Sequence, residues 1–259
     1  MQICKFEVQD NGVAILTLNN PERLNPLDLK MRSDLVEACK IVQEEDSIKV
    51  LVITGAGRGF SSGGDINGLL AAEDVAAVKR RIDTATSALR TVYDLEKPVI
   101  AAVNGPVAGA SLSLMMACDL VVAAESAVFG FTFINIALCP DCGTSHFLAR
   151  KVGYHKAAEM VFFGRILKAR EALEIGLVNK LVPTEDTVLA ALEWADQLAM
   201  KPLFTILMDK KLLKQALIND YYQQASIESV YQLLAWSSQD FKEGAQAFLE
   251  KRKPQFIGK

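Results

Sequence analysis

One carboxylate, Asp141, stands in Ile136-Ala137-Leu138-Cys139-Pro140-Asp141-Cys142-Gly143-Thr144, a turn between an apolar run and a predicted helix. Two earlier segments, Gly59-Phe60-Ser61-Ser62-Gly63-Gly64-Asp65 and Asn104-Gly105-Pro106-Val107-Ala108-Gly109-Ala110, each follow a predicted buried strand and present bare backbone N–H groups. Small residues ahead of a helix let a carbonyl oxygen approach the Ser62 amide closely. Ala110, after Gly109, opens a helix whose dipole reinforces a developing negative charge. A lone acid facing two amide donors is suited to moving a proton next to a carbonyl, the donors forming an oxyanion hole. Each element also has a plain structural reading. The first loop reads equally as a turn capped by Asp65, the second as close packing of a buried helix, and Asp141 as a helix N-cap.

Other chemistries fit less well. From Gly55 the dinucleotide fingerprint G-x-G-x-x-G meets Phe60 where its third glycine belongs. Cys139-Pro140-Asp141-Cys142 is a C-x-x-C with His146 nearby, but no second pair supplies further ligands, so no metal is expected. His146 and His155 fall in helical segments and build no Ser–His–Asp set.

These residues need a scaffold, and the chain has material for one. About half of its 259 residues are apolar (51%), enough for a sizeable core. A net charge of −3 provides no basic field for nucleic acid, and no apolar run spans a bilayer. The start lacks a signal-peptide core and the five cysteines are scattered, so reduced thiols in a cytoplasm are expected. Alternation predicts a hairpin of residues 3–8 with 13–18 around Asp10-Asn11-Gly12, then a helix over 27–44. Buried strands are predicted at 49–54, 98–103, 120–124 and 177–182, with helices at 71–95, 109–117, 145–151, 154–163 and 169–175. From Glu185 the pattern is helical, broken at Lys201-Pro202 and Asn219-Asp220. Strands alternating with helices indicate an α/β fold.

Phe60-Ser61-Ser62-Gly63-Gly64-Asp65-Ile66, the run Pro98 to Gly105 with Ala108-Gly109-Ala110 and Cys118-Asp119, and Phe129-Gly130 together resemble the crotonase (enoyl-CoA hydratase/isomerase) superfamily. The similarity runs end to end, through Leu167 to Val178 and the tail Glu243 to Arg252. The resemblance implies a spiral of ββα turns over residues 1–201 and a C-terminal helical oligomerisation region over 202–259. It implies trimers, commonly paired as hexamers, and an acyl-CoA thioester as substrate, with coenzyme A part of the substrate and no other cofactor. The two enolate-stabilising amides would be those of Ser62 and Ala110. Arg23 and Leu24 would lie near the nucleotide, with the Phe60, Ser61 and Ser62 backbone at adenine and Asp65 and Ile66 beside it. Phe248 and Lys251 would come from a neighbouring subunit.

The departures from the family pattern carry the functional expectation. The two glutamates with which hydratases add water fall on Ser113 and Phe133 here, and neither is a carboxylate. Asp141 instead matches the acid of Δ3,Δ2-enoyl-CoA isomerases. The ring-1,2-epoxyphenylacetyl-CoA isomerase subgroup resembles the chain in Phe133, Leu138 and Pro140-Asp141-Cys142-Gly143. The expectation is an isomerase that shifts a double bond or rearranges a ring epoxide, with Phe133, Ser113, Gly109 and Pro140 around the substrate. A hydratase-like or dehalogenase-like enzyme and a non-catalytic acyl-CoA binder are the alternatives.

Overall fold

In the computed structural model, which describes residues 1–258, the chain opens with the expected hairpin. β1 (Lys5–Val8) and β2 (Val13–Leu18) pair antiparallel, Lys5 opposite Thr17 and Val8 opposite Ala14. α1 (Leu29–Glu44) then crosses to β3 (Val50–Gly55), and α2 (Ile66–Leu70) and α3 (Val75–Asp94) cross to β4 (Val99–Val103). β5 (Val107–Ala108) and α4 (Ala110–Ala117) precede β6 (Leu120–Ala124). Next come β7 (Val128–Gly130), α5 (Thr144–Val152), α6 (Tyr154–Phe162), β8 (Ile166–Lys168), α7 (Ala169–Glu174) and β9 (Lys180–Val182). α8 (Thr187–Ala199), α9 (Leu203–Ala216), α10 (Tyr221–Ser237) and α11 (Gln239–Glu250) complete the chain.

The main sheet has six strands in the order β1-β2-β3-β4-β6-β9, parallel from β2 onward. Parallel strands covered on both faces read as continuous apolar runs, as β3 and β4 do. Leu51, Ile53, Ala101 and Val103 point to the larger core, under α1, α3 and α4. Val50, Val52, Ile100 and Ala102 point the other way, where Ala191 and Ala195 of α8 allow close approach. β5, β7 and β8 form a second, three-stranded sheet that the sequence does not betray, being two or three residues each. Such runs are too short for a period to register.

The expected helix over 71–95 is shortened at its start, because Asp74 caps α3 by accepting the Ala77 N–H at 2.7 Å. The expected strand at 177–182 narrows to β9, since Leu177 and Val178 donate back to the Ala172 carbonyl at 2.9 and 3.3 Å. α9 is fastened to the sheet by buried Lys210, which donates to Asp119 Oδ2 at 2.6 Å and to the Lys97 carbonyl at 3.0 Å. α10 buries none of its residues and leaves Tyr221, Leu233 and Trp236 exposed. Among the described residues no helix is long and apolar enough to cross a membrane.

The N-terminus is held by Asp34 of α1, whose buried carboxylate accepts the N–H groups of Gln2, Ile3 and Cys4 at 2.9, 2.6 and 2.8 Å. Burial pushes that carboxyl up, but the three donors outweigh it and leave it below its ordinary value. A depressed folded-state pKa contributes stability above the unfolded value, lost as pH falls through the folded one. Asp34→Ala is therefore expected to cost about 1–3 kcal/mol at neutral pH in urea melts. The gap to wild type should narrow as pH drops below about 4.

Candidate active site

The two glycine-bearing loops meet edge to edge. A Cβ on Gly63, whose φ is +93°, would lie 2.4 Å from the Ala108 carbonyl oxygen and 3.2 Å from the Ala110 nitrogen, so the contact requires glycine. Leu27 donates to the Gly63 carbonyl at 2.8 Å and Ala108 donates to the Ser61 carbonyl at 3.1 Å, which locks both loops against the start of α1.

This locking revises the first expected donor. The Ser62 N–H is taken by the Leu24 carbonyl at 2.7 Å, and Ser62 itself faces solvent. Gly64 and Ala110, one on each loop, line one shared cavity, and among the described residues neither N–H has a protein acceptor. Ala110 is the first residue of α4, where an N–H is necessarily left over. Beside Gly64 nothing lies within 4 Å of where a side chain would begin. Gly64, unlike Ser62, thus keeps an N–H to donate.

Asp141 lines that same cavity, of about 40 Å³, with Asp65 and an apolar wall of Leu27, Leu69, Ile82, Ala85 and Leu89. It is not the helix cap: α5 begins after Gly143, and Asp141 offers its carbonyl, not its side chain, to the Thr144 N–H at 2.8 Å. Its Oδ1 is buried with no hydrogen-bond partner among the described residues. Burial pushes the carboxyl above its ordinary value, and the Cys142 thiol and the Arg32 charge pull it back only in part. An unpartnered acid of raised pKa beside two free amides can take and return a proton while negative charge rests on an oxygen in the hole.

The turn carrying Asp141 is held rather than loose. Cys142 and Gly143 both adopt left-handed backbone (φ 51° and 86°), and the Ser113 hydroxyl of α4 donates to the Cys142 carbonyl. Ser113 is thus a positioning residue beneath Asp141 rather than part of the cavity wall. Ser113→Ala orphans that buried carbonyl and is expected to lower stability by about 1–3 kcal/mol. Turnover should fall with it while KM stays near wild type, since the acid is misplaced and binding surface is not; steady-state kinetics with urea melts check both. Cys142 is buried and its thiol is pushed up to about 12, chiefly by burial, whereas Cys139 is exposed.

The remaining candidates divide. Arg23 bridges to Asp65 at 3.2 Å at the cavity edge, and Leu24 sits left-handed at φ 57° with its carbonyl spent on Ser62. The N–H groups of Phe60 and Ser61 both go to the Pro106 carbonyl, at 3.0 and 3.3 Å. The Phe60 ring is fully buried and the Ser61 hydroxyl bonds the Asn25 carbonyl at 2.6 Å. Both residues therefore build the loop, and neither offers an N–H to a ligand. Ile66 is half exposed, Phe133 is buried and Pro140 partly so; none of the three lines the cavity. Gly109 turns the chain into α4 at φ 57°. Phe248 and Lys251 lie on and after α11, outside the cavity, with Phe248 83% exposed.

The sequence reading missed Gly64, Arg32 and the α3 face that walls the cavity. Beyond Leu89 lies a second cleft of about 320 Å³, lined by Thr86, Tyr93, Cys142, Gly143, His146 and Phe147. The Tyr93 and Phe147 rings stand 5.4 Å apart there. A larger cavity of about 440 Å³ under α9 contains none of Asp141, Gly64 or Ala110.

The sequence profile of the enoyl-CoA hydratase/isomerase family matches residues 8–259. The chain is 39% identical to the 1,2-epoxyphenylacetyl-CoA isomerase of Escherichia coli K12, over 96% of this chain and 97% of that one. It is 36% identical to the 2,3-dehydroadipyl-CoA hydratase of the same organism, over 95% and 96%. The crystal structure of an enoyl-CoA hydratase from Bacillus anthracis superimposes with a TM-score of 0.95 at 30% identity, covering all of both chains. The fold is thus the crotonase fold that the motifs suggested, and the protein belongs to the enoyl-CoA hydratase/isomerase family.

Proposed function

We propose that the protein is an acyl-CoA isomerase working through a single carboxylate. The observation that carries this reading is Asp141: an unpartnered acid in the cavity faced by the free Gly64 and Ala110 amides, with serine and phenylalanine at the two positions expected for hydratase glutamates. The thioester oxygen accepts from both amides, which stabilise the enolate. Asp141 removes a proton from one carbon of a β,γ-unsaturated acyl group and returns it two carbons away. One base within reach of both carbons suffices for a 1,3-shift, whereas hydration needs a second group to hold water. The apolar wall excludes water and keeps the carboxylate basic.

Rearrangement of a ring epoxide uses the same hole and acid, and the 39% identity to a relative named 1,2-epoxyphenylacetyl-CoA isomerase favours that variant of the reading. The acyl group passes Leu89 into the cleft lined by Thr86, Tyr93, Cys142 and Phe147. In the same reading the exposed face of α10 meets other copies in a trimer or hexamer, which brings Phe248 and Lys251 to a neighbour's coenzyme A.

The test is incubation with 3-hexenoyl-CoA and, separately, with crotonyl-CoA. The expected result is appearance of conjugated enoyl absorbance from the first and slow or no loss of it from the second. Rapid hydration of crotonyl-CoA without isomerisation overturns the reading.

A further inference from the structure

Arg32 of α1 is 6% exposed and lines the cavity that holds Asp141 and the two free amides. Its Nε donates to the Asp28 carbonyl at 3.3 Å and one terminal nitrogen donates to the Arg81 carbonyl of α3 at 3.0 Å. These bonds fix the guanidinium between two helices and leave its other terminal nitrogen undonated. Among the described residues it forms no ion pair, with Asp141 or any other acid.

A buried cation held in no salt bridge is costly, although Asp28, Asp65 and Asp141 act on it from farther off. A purely hydrocarbon acyl group would need only the apolar part of this wall. Its bonds tie α1 to α3 and its charge acts on Asp141, yet neither role uses the second terminal nitrogen.

Resting on the acyl-CoA reading above, we propose that Arg32 is a specificity-determining residue. It donates to an acceptor oxygen carried on the acyl group, so the preferred substrates are oxygenated acyl-CoA thioesters rather than plain hydrocarbon ones. The oxygen is either a neutral ether-type oxygen, as in an epoxide, or a carboxylate. A guanidinium serves both, through N–H groups directed at lone pairs.

The test measures binding alone, using saturated thioesters that have no double bond to move. Hexanoyl-CoA, its ether isostere propoxyacetyl-CoA and hexanedioyl-CoA are titrated calorimetrically into wild type, Arg32→Met and Arg32→Gln. The expected result is that wild type prefers an oxygenated ligand over hexanoyl-CoA by about ten- to a hundredfold. Preference for propoxyacetyl-CoA assigns the neutral oxygen, and preference for hexanedioyl-CoA assigns the carboxylate. The preference should collapse in Arg32→Met. If that variant fails to fold by circular dichroism, Arg32→Gln is read in its place. Equal binding of all three ligands by wild type overturns the inference, and so does a preference that survives loss of the guanidinium. Binding of hexanoyl-CoA without any preference sinks only the role of Arg32. Absence of 3-hexenoyl-CoA turnover sinks the double-bond shift and leaves the binding result standing.

Discussion

Asp141→Asn is expected to lower isomerisation of 3-hexenoyl-CoA by about 10²–10⁴-fold, the usual contribution of a positioned acid–base group. Asparagine keeps the shape of the side chain and cannot take the proton, so binding of hexanoyl-CoA should stay near wild type. A second effect runs the opposite way. The carboxyl is raised above its ordinary value because burial disfavours its charge, and Oδ1 has no partner to offset that. For an acid with a raised folded-state pKa, the ionised form weakens the fold, and the penalty is present once pH exceeds that value. The neutral amide should therefore melt at a higher temperature than wild type at pH about 7, and the gain should fade toward pH about 4. Retained turnover would remove Asp141 from the chemistry. Loss of turnover with an unchanged or lowered melting temperature would show that the carboxylate is better solvated than its surroundings indicate.

Ala110→Pro should lower kcat by about 10²–10³-fold, the effect of removing one oxyanion donor. Proline is tolerated at the first position of a helix, where its missing N–H breaks no helical bond. Ala110 holds that position in α4 and its N–H has no protein acceptor among the described residues. The substitution deletes the donor without breaking the helix, and its ring also takes space beside Gly63 and in the cavity. Circular dichroism should report a folded chain, and kcat should drop further than affinity for a saturated thioester, since the hole matters most when charge has developed on the oxygen. An unchanged kcat would mean that the enolate oxygen lies elsewhere. Gly64→Ala is the matching control: its Cβ enters open space and the N–H remains.

Long periodic elements were legible in the sequence, and so was the turn that carries Asp141. β3, β4 and β6 are apolar runs bounded by turn residues, and α1 and α8 show their stripes. What escaped was set by non-local bonds. Three consecutive amides, at Ser62, Gly63 and Gly64, were open to choice in the first loop. Only the return of the Leu24 carbonyl, from 38 residues upstream, decides that Ser62 is spent, and Leu24 is a left-handed residue that no pattern marks. Asp141 illustrates the converse. Spacing alone favours an N-cap slightly over a base, and the left-handed pair Cys142-Gly143 removes the cap by starting the helix later. Arg32 went unnoticed because a charged residue beside an apolar stripe ordinarily faces water, whereas α3 lies over this one.

Leu89 is the one residue that borders both the cavity of Asp141 and the cleft beyond it. In the proposed reading the proton and the oxyanion fall to Asp141, Gly64 and Ala110, whereas α3 supplies Ile82, Ala85, Leu89 and Tyr93 to the walls. Those walls are shared, since Arg32 of α1, Phe147 of α5 and the Cys142-Gly143 turn line them too. A change at Leu89 would therefore be felt on both sides at once, by the reacting carbons and by the far end of the acyl group.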